Sequence, residues 1–112
     1  MTESAVLFQR GMQDFEAQVR QRFQAGAGRE LARRGEDTYM SYREVPTIGS
    51  DRDIKSFVLE WTDAAGAQRC VAAHVDRLHG CVVFHPGRDR FAIDRHSLAW
   101  LDTLLSRARS TA

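Results

Sequence analysis

The apolar residues of this 112-residue chain change their spacing near Asp37, from the period of an α-helix to that of a β-strand. On the N-terminal side, apolar side chains recur every three or four residues, at Phe8, Met12, Phe15, Val19 and Phe23. This spacing predicts an amphipathic helix over residues 5–24, with Ser4 as its N-cap. Residues 29–34 could form a short second helix that ends at Gly35.

Beyond Asp37, apolar and polar residues alternate, which is typical of strands with one buried face. We expect strands over residues 39–45, 55–62, 68–75, 81–85 and 90–93. Pro46 should close the first strand because proline has no N–H to donate to a ladder. Residues 47–53 should then form a polar loop. In the second and third strands, the predicted core face carries Phe57, Leu59, Trp61, Val71, Ala73 and Val75.

The last part of the chain returns to helical spacing. Its apolar stripe consists of Leu98, Leu101, Leu104, Leu105 and Ala108, and Asp94 is placed to cap it. Strands grouped between terminal helices are typical of α+β proteins. We therefore expect a single α+β domain over residues 1–112. It should be a two-layer sandwich, in which the N- and C-terminal helices pack on one face of an antiparallel sheet of about five strands.

The composition argues against several classes of protein. The 43% apolar and 28% charged residues are ordinary for a globular protein and argue against disorder. The apolar runs are far shorter than the roughly 20 residues that span a bilayer, so we expect no membrane association. A net charge of +1 gives no general attraction to polyanions. No Walker loop or G-x-G-x-x-G motif occurs, and no cofactor is predicted. Two cysteines fit free thiols in a reducing, bacterial-type cytoplasm.

Histidines and cysteines are concentrated in the third and fourth predicted strands. If Val71, Val75 and Val82 face the core, alternation places four other side chains together on the opposite face: Cys70, His74, Cys81 and His85. Cys70 would then lie across from His85, and His74 across from Cys81. The two pairs would be roughly 13 Å apart, too far to share one zinc ion. His74, His79 and Cys81 remain candidate ligands of a three-ligand metal site. A histidine could instead activate a cysteine thiol, and ordinary half-buried sheet positions are the alternative to both.

Arginines form the second candidate site. The end of the first helix and the segment after it are basic, through Arg20, Arg22, Arg29, Arg33 and Arg34. If these met a second arginine group near the end of the sheet, they could hold a phosphate backbone or an acidic peptide. Tyr39 and Tyr42 are candidate platforms for stacked bases or for a docked protein. The alternatives are a solvated charged face and burial of both rings in the core.

The missing catalytic and cofactor motifs favour a non-enzymatic binding or adaptor protein. We expect its partner to be another protein, bound through the sheet face or an edge strand. Nucleic-acid binding through the arginines is the alternative, and a small metal- or thiol-dependent enzyme is the second alternative. The apolar stripe of the first helix belongs in the core, with the seam of a homodimer as its alternative.

Overall fold

The computed structural model describes residues 3–24, 39–63 and 65–110 of the chain. Two helices and five strands follow one another in the order α1 (Glu3–Gln21), β1 (Tyr39–Gly49), β2 (Arg52–Thr62), β3 (Gln68–Asp76), β4 (Cys81–His85), β5 (Arg90–Ala92) and α2 (Arg95–Ser110). All neighbouring strands pair antiparallel, and their order in the sheet is their order in the chain. The fold is therefore α+β with one five-stranded antiparallel sheet. In the described ranges, no helix is long and apolar enough to cross a membrane.

The largest difference from the sequence prediction is the length of the first hairpin. β1 does not stop at Pro46, and residues 47–49 and 52–53 are strand rather than loop. Pro46 lies opposite Lys55, within a ladder that runs without interruption from Tyr39 to Gly49. The prediction was wrong because β1 is an edge strand of the sheet, where a residue without an N–H can face away from its only neighbour.

Carboxylates shape the turns that set the strand register. In the β2–β3 turn, Asp63 accepts hydrogen bonds from the backbone N–H of Ala65 and of Ala67, at 3.0 and 2.9 Å. Gly66 in the same turn has a φ of 84°, which a side chain would disfavour. In the β3–β4 turn, Asp76 accepts from the backbone N–H of Leu78 and of His79. Both turns are therefore stabilised by the residue at which they begin.

The ends of the helices agree in part with the prediction. Asp94 caps α2, since its carboxylate accepts from the backbone N–H of His96 and of Ser97 at 2.9 and 3.1 Å. α1 begins at Glu3, so Ser4 lies inside the helix rather than at its cap. The short helix predicted over residues 29–34 lies outside the described residues.

A single buried cluster joins the helices to the sheet. It contains Met12, Phe15, Val19, Phe23, Phe57, Leu59, Trp61, Val71, Ala73, Val75, Val82, Phe84, Leu98, Leu101, Leu104 and Leu105. The strand members occupy every second position, as the alternation in the sequence predicts. The described part of the predicted stripe of α1 lies in the core. The sixteen side chains supply most of the apolar burial that holds the fold together.

An ion pair fastens α1 to the turn between β3 and β4. Arg77 donates two hydrogen bonds to Glu16, from Nε to Oε1 at 2.6 Å and from Nη2 to Oε2 at 2.9 Å. Glu16 is buried, whereas Arg77 is partly exposed. The backbone N–H of Arg77 also donates to the carbonyl of Asp53, at 2.8 Å. Arg77 thus connects α1, β2 and the β3–β4 turn.

Removal of Arg77 should destabilise the protein because it leaves the Glu16 carboxylate buried without its partner. We expect Arg77→Met to lower the free energy of unfolding by about 2 kcal/mol. Urea denaturation at pH 7 measures this change. The control Arg52→Met removes an exposed arginine and should change stability by less than about 0.5 kcal/mol. Equal effects of the two substitutions would contradict a structural role for the ion pair.

Candidate binding surface

One face of the sheet consists of side chains that do not belong to the core cluster. The strand register places Arg43, Val45, Ser56, Val58, Glu60, Cys70, Ala72, His74, Cys81, Val83, His85 and Arg90 on this side. We call this set the outer face. It alternates along each strand with the residues of the core.

The centre of the outer face is apolar. Val58 and Ala72 lie opposite each other on β2 and β3, with exposed fractions of 9% and 3%. Cys81 on β4 is also buried, and none of the three belongs to the core cluster. Val83 is half-buried, and Val45 on the edge strand is 41% exposed. These residues form a second, smaller apolar surface on the sheet.

Charged side chains border this apolar centre. Arg43 donates to Glu60 through two hydrogen bonds, at 2.8 and 3.0 Å, so these two charges neutralise each other. The hydrogen bond from Arg43 lowers the pKa of the Glu60 carboxyl and keeps it ionised. Arg90, opposite Val83, is exposed and has no ion-pair partner within the described residues. Arg90 is therefore a positive charge on the outer face without an ion-pair partner among the described residues, whereas the Asp76 carboxylate, opposite Cys81, is a negative charge on the same face.

The histidine at the middle of the outer face is half-buried. His74 Nδ1 lies 2.8 Å from the Ser56 hydroxyl oxygen, across the β2–β3 ladder. Burial lowers the pKa of His74, and the nearby His85 lowers that pKa further. His74 is therefore neutral at pH 7.

The predicted pairing of histidines with cysteines was wrong by two residues. His85 lies opposite Ala72, His74 lies opposite Val83, and Cys81 lies opposite Asp76. The reason is the tight turn after Asp76, which draws this residue into the ladder and shifts the hairpin register. The predicted face is nevertheless right, because a shift of two residues preserves the side-chain alternation.

The candidate metal ligands His74, His79 and Cys81 do not come together. His79 lies in the β3–β4 turn, where its Nδ1 is 2.9 Å from Oδ2 of Asp76. Among the described residues, no group of three or more histidine, cysteine, aspartate or glutamate side chains could hold a metal ion. For thiol chemistry, burial raises the pKa of Cys70, with a further contribution from Glu60. The Cys70 thiol is therefore protonated at neutral pH, which disfavours it as a nucleophile.

The arginines predicted as a patch have different environments. Arg20 donates to Glu44 on β1 and lies over the Phe57 ring, 5.9 Å from its centroid. Arg22 donates to Asp102 on α2 at 2.8 Å. These two arginines connect α1 to the sheet and to α2. The other three, Arg29, Arg33 and Arg34, lie outside the described residues.

Tyr42 borders the core and is not part of the outer face. Its ring stacks on Phe23 with centroids 5.9 Å apart, and its hydroxyl donates to Glu44 at 2.9 Å. Burial, followed by the contact with the Glu44 carboxylate, raises the pKa of Tyr42. The backbone of Tyr39 begins β1, whereas its side chain lies outside the described residues.

The apolar centre of the outer face was missed by sequence reasoning. A signal was present in β2, where Ile54 and Val58 are apolar at positions that alternate with Phe57, Leu59 and Trp61. A strand with apolar residues at both parities is partly buried on both faces. The comparisons with known proteins give no help with this surface, since no family model, curated protein or solved structure matches the chain.

Glu44 should make stability depend on pH in the acid range. The hydrogen bond from Arg20, followed by those from Tyr42 and Lys55, holds the pKa of Glu44 at about 2. Because that pKa is depressed in the folded state, its stabilisation is complete above pH 4.5 and is lost as pH falls from 4.5 towards 2. We expect Glu44→Gln to lower the free energy of unfolding at pH 7 by about 2 kcal/mol.

Urea denaturation of both proteins between pH 2.5 and 7 tests this expectation. The difference between wild type and Glu44→Gln should shrink as pH falls. Asp51→Asn, in the exposed turn between β1 and β2, is the control and should show no such trend. A pH-independent difference for Glu44→Gln would exclude the proposed ionisation effect.

His74 should titrate below the ordinary histidine value of 6.5. Its neutral form is favoured by burial, so its contribution to stability is lost as pH falls below 6.5 through the folded pKa. NMR titration of the histidine ring signals, assigned with His74→Gln, measures the pKa. His85→Gln should raise the pKa of His74 because it removes a neighbouring positive charge. Titration of His74 at or above 6.5 would contradict its burial.

Proposed function

We propose that the protein is a non-enzymatic binding module whose outer face holds an acidic, partly apolar segment of another protein. In this proposal, α1 and α2 cover the core side of the sheet and leave the outer face for the partner. Two free thiols, Cys70 and Cys81, fit a reducing cytoplasmic location. The observation that carries the proposal is the apolar surface of the outer face, which lies outside the core cluster and has the unpaired Arg90 at its border.

The outer face offers apolar contacts to an extended peptide at two positions. Val58, Ala72 and Cys81 are buried and form its apolar centre. The more exposed Val45 and the half-buried Val83 provide apolar contacts on either side of it. Aliphatic side chains of a partner would gain free energy by removing the exposed parts of Val45 and Val83 from water.

The charges on the outer face favour an acidic partner. Arg43 is already neutralised by Glu60, whereas Arg90 is available to a carboxylate. Opposite charges at the border of an interface guide the partner and fix its orientation.

Nucleic-acid binding has less support among the described residues. Arg20 and Arg22, the two described arginines of the predicted patch, are held in ion pairs with Glu44 and Asp102. Phosphate contacts would have to compete with these pairs. Of the two predicted aromatic platforms, Tyr42 is packed against Phe23 and does not offer an exposed face for base stacking.

Selection of displayed random peptides against the full-length chain tests the proposal. We expect enriched peptides to combine aspartate or glutamate with aliphatic residues. When such a peptide is added to the labelled protein, NMR shifts should concentrate at Val58, Ala72 and Val83. Absence of enrichment, or enrichment of basic peptides, would contradict the proposal. Salt-sensitive binding of a single-stranded DNA oligonucleotide at the same residues would replace it with the nucleic-acid alternative.

Two substitutions on β1 form a matched pair for this test. Val45 is 41% exposed on the outer face, and Ile48 is 82% exposed three residues further on, with the opposite parity. We expect Val45→Glu to weaken binding of a selected peptide about tenfold, and Ile48→Glu to leave it within about twofold. An equal loss of affinity in both variants would show that the peptide binds by nonspecific hydrophobic contact rather than through the outer face. A dimer in sedimentation that only Val45→Glu dissociates would make a second copy the partner instead.

A further inference from the structure

A cleft lies where the β2–β3 hairpin meets the C-terminal half of α2. Its volume is about 180 Å³, and its described lining residues are Trp61, Arg69, Cys70, Val71, Pro86, Leu104 and Arg107. Trp61 and Arg69 lie directly opposite each other on β2 and β3. The lining is mostly apolar, with two guanidinium groups.

Trp61 is the one buried residue whose polar side-chain atom has no partner within the described chain. The residue is 3% exposed, and its indole Nε1–H donates to no acceptor there. A buried donor without an acceptor is uncommon and costs free energy unless a water or a ligand satisfies it. The Nε1 atom itself is inaccessible to solvent, so a ligand in the cleft would contact the ring of Trp61 rather than its N–H.

Arg69 is fixed beside this cleft and retains free donors. Its Nε donates to Oδ2 of Asp63 at 3.0 Å. Asp63 is itself held by the backbone N–H groups of the β2–β3 turn. Apart from this contact, Arg69 has no hydrogen-bond partner among the described residues, and its side chain is 44% exposed. The Nη groups of Arg69 are therefore held beside the cleft and donate to no described residue.

Arg107 also lines the cleft, from α2. It lies three residues after Leu104, with its guanidinium carbon 5.4 Å from the centre of the Trp100 ring. Stacking on an aromatic ring restrains a guanidinium. An anion in the cleft would lie beside Arg69 and against the apolar wall that Trp61, Val71 and Leu104 form.

We propose that this cleft binds a small monocarboxylate with a short aliphatic chain. The chain packs against Trp61, Val71 and Leu104, and the carboxylate accepts hydrogen bonds from the Nη groups of Arg69. This site does not depend on the proposed function of the outer face, and either one stands if the other fails.

NMR of the tryptophan indole N–H signals tests the proposal directly. The chain has two tryptophans, so Trp61→Phe assigns the Trp61 signal. Sodium hexanoate is the probe, and hexan-1-ol and hexylamine are matched probes with the same chain and a different head group. We expect a saturable shift of the Trp61 signal with hexanoate, and at least about tenfold weaker binding of the two others, since a hydrogen bond to a charged group contributes roughly 1.5–3 kcal/mol.

The contribution of Arg69 is measured with Arg69→Gln, which should weaken hexanoate binding about tenfold. The control Arg52→Gln removes an exposed arginine at the far end of the β1–β2 hairpin and should leave binding unchanged. Arg69→Gln also removes a partner of Asp63. If this variant unfolds, the comparison of hexanoate, hexan-1-ol and hexylamine on the wild-type chain decides the question instead. No shift with hexanoate, or equal binding of hexanoate and hexan-1-ol, would overturn the proposal.

Discussion

The alternation of side chains along β2 and β3 determines almost everything else in this structure. Phe57, Leu59 and Val71 reach the core only in the observed register, because a shift by one residue would turn all of them to the outer face. Asp63 and Asp76 secure this register, each by accepting backbone hydrogen bonds within the turn that it begins. The same two turns thereby decide which residues remain for binding.

The fold was accessible from the sequence where one physical effect dominated. The α1 and α2 stripes, the Asp94 cap and the alternation in β2, β3 and β4 all follow from burial or backbone capping over a few residues. The sequence prediction failed where contacts with other parts of the structure, rather than the local apolar pattern, determined the result. Pro46 lies within a strand because no further strand pairs beyond β1 in the described sheet. The two-residue error in the β3–β4 register came from the side chain of Asp76, whose hydrogen bonds no spacing of apolar residues reveals.

The candidate site was less accessible from the sequence than the fold, for the same reason. A basic stretch suggests a patch, but an arginine on α1 contributes to one only if no carboxylate lies within reach. Arg20 meets Glu44, a residue 24 positions away in the chain. Conversely, the outer face became recognisable only when Val58 and Ala72 proved to be paired and outside the core cluster. Contacts between residues distant in sequence decided both outcomes.

The net charge of +1 also hides an uneven distribution. Glu16, Glu44 and Asp63 each bind a basic side chain on the core side or at its edge. These carboxylates stabilise the fold and are no longer available to balance arginines elsewhere. On the outer face, Glu60 neutralises Arg43, which leaves Arg90 without a counter-ion within the described residues. A nearly neutral protein can therefore carry an unpaired arginine on one face, because carboxylates elsewhere in the fold are held in ion pairs.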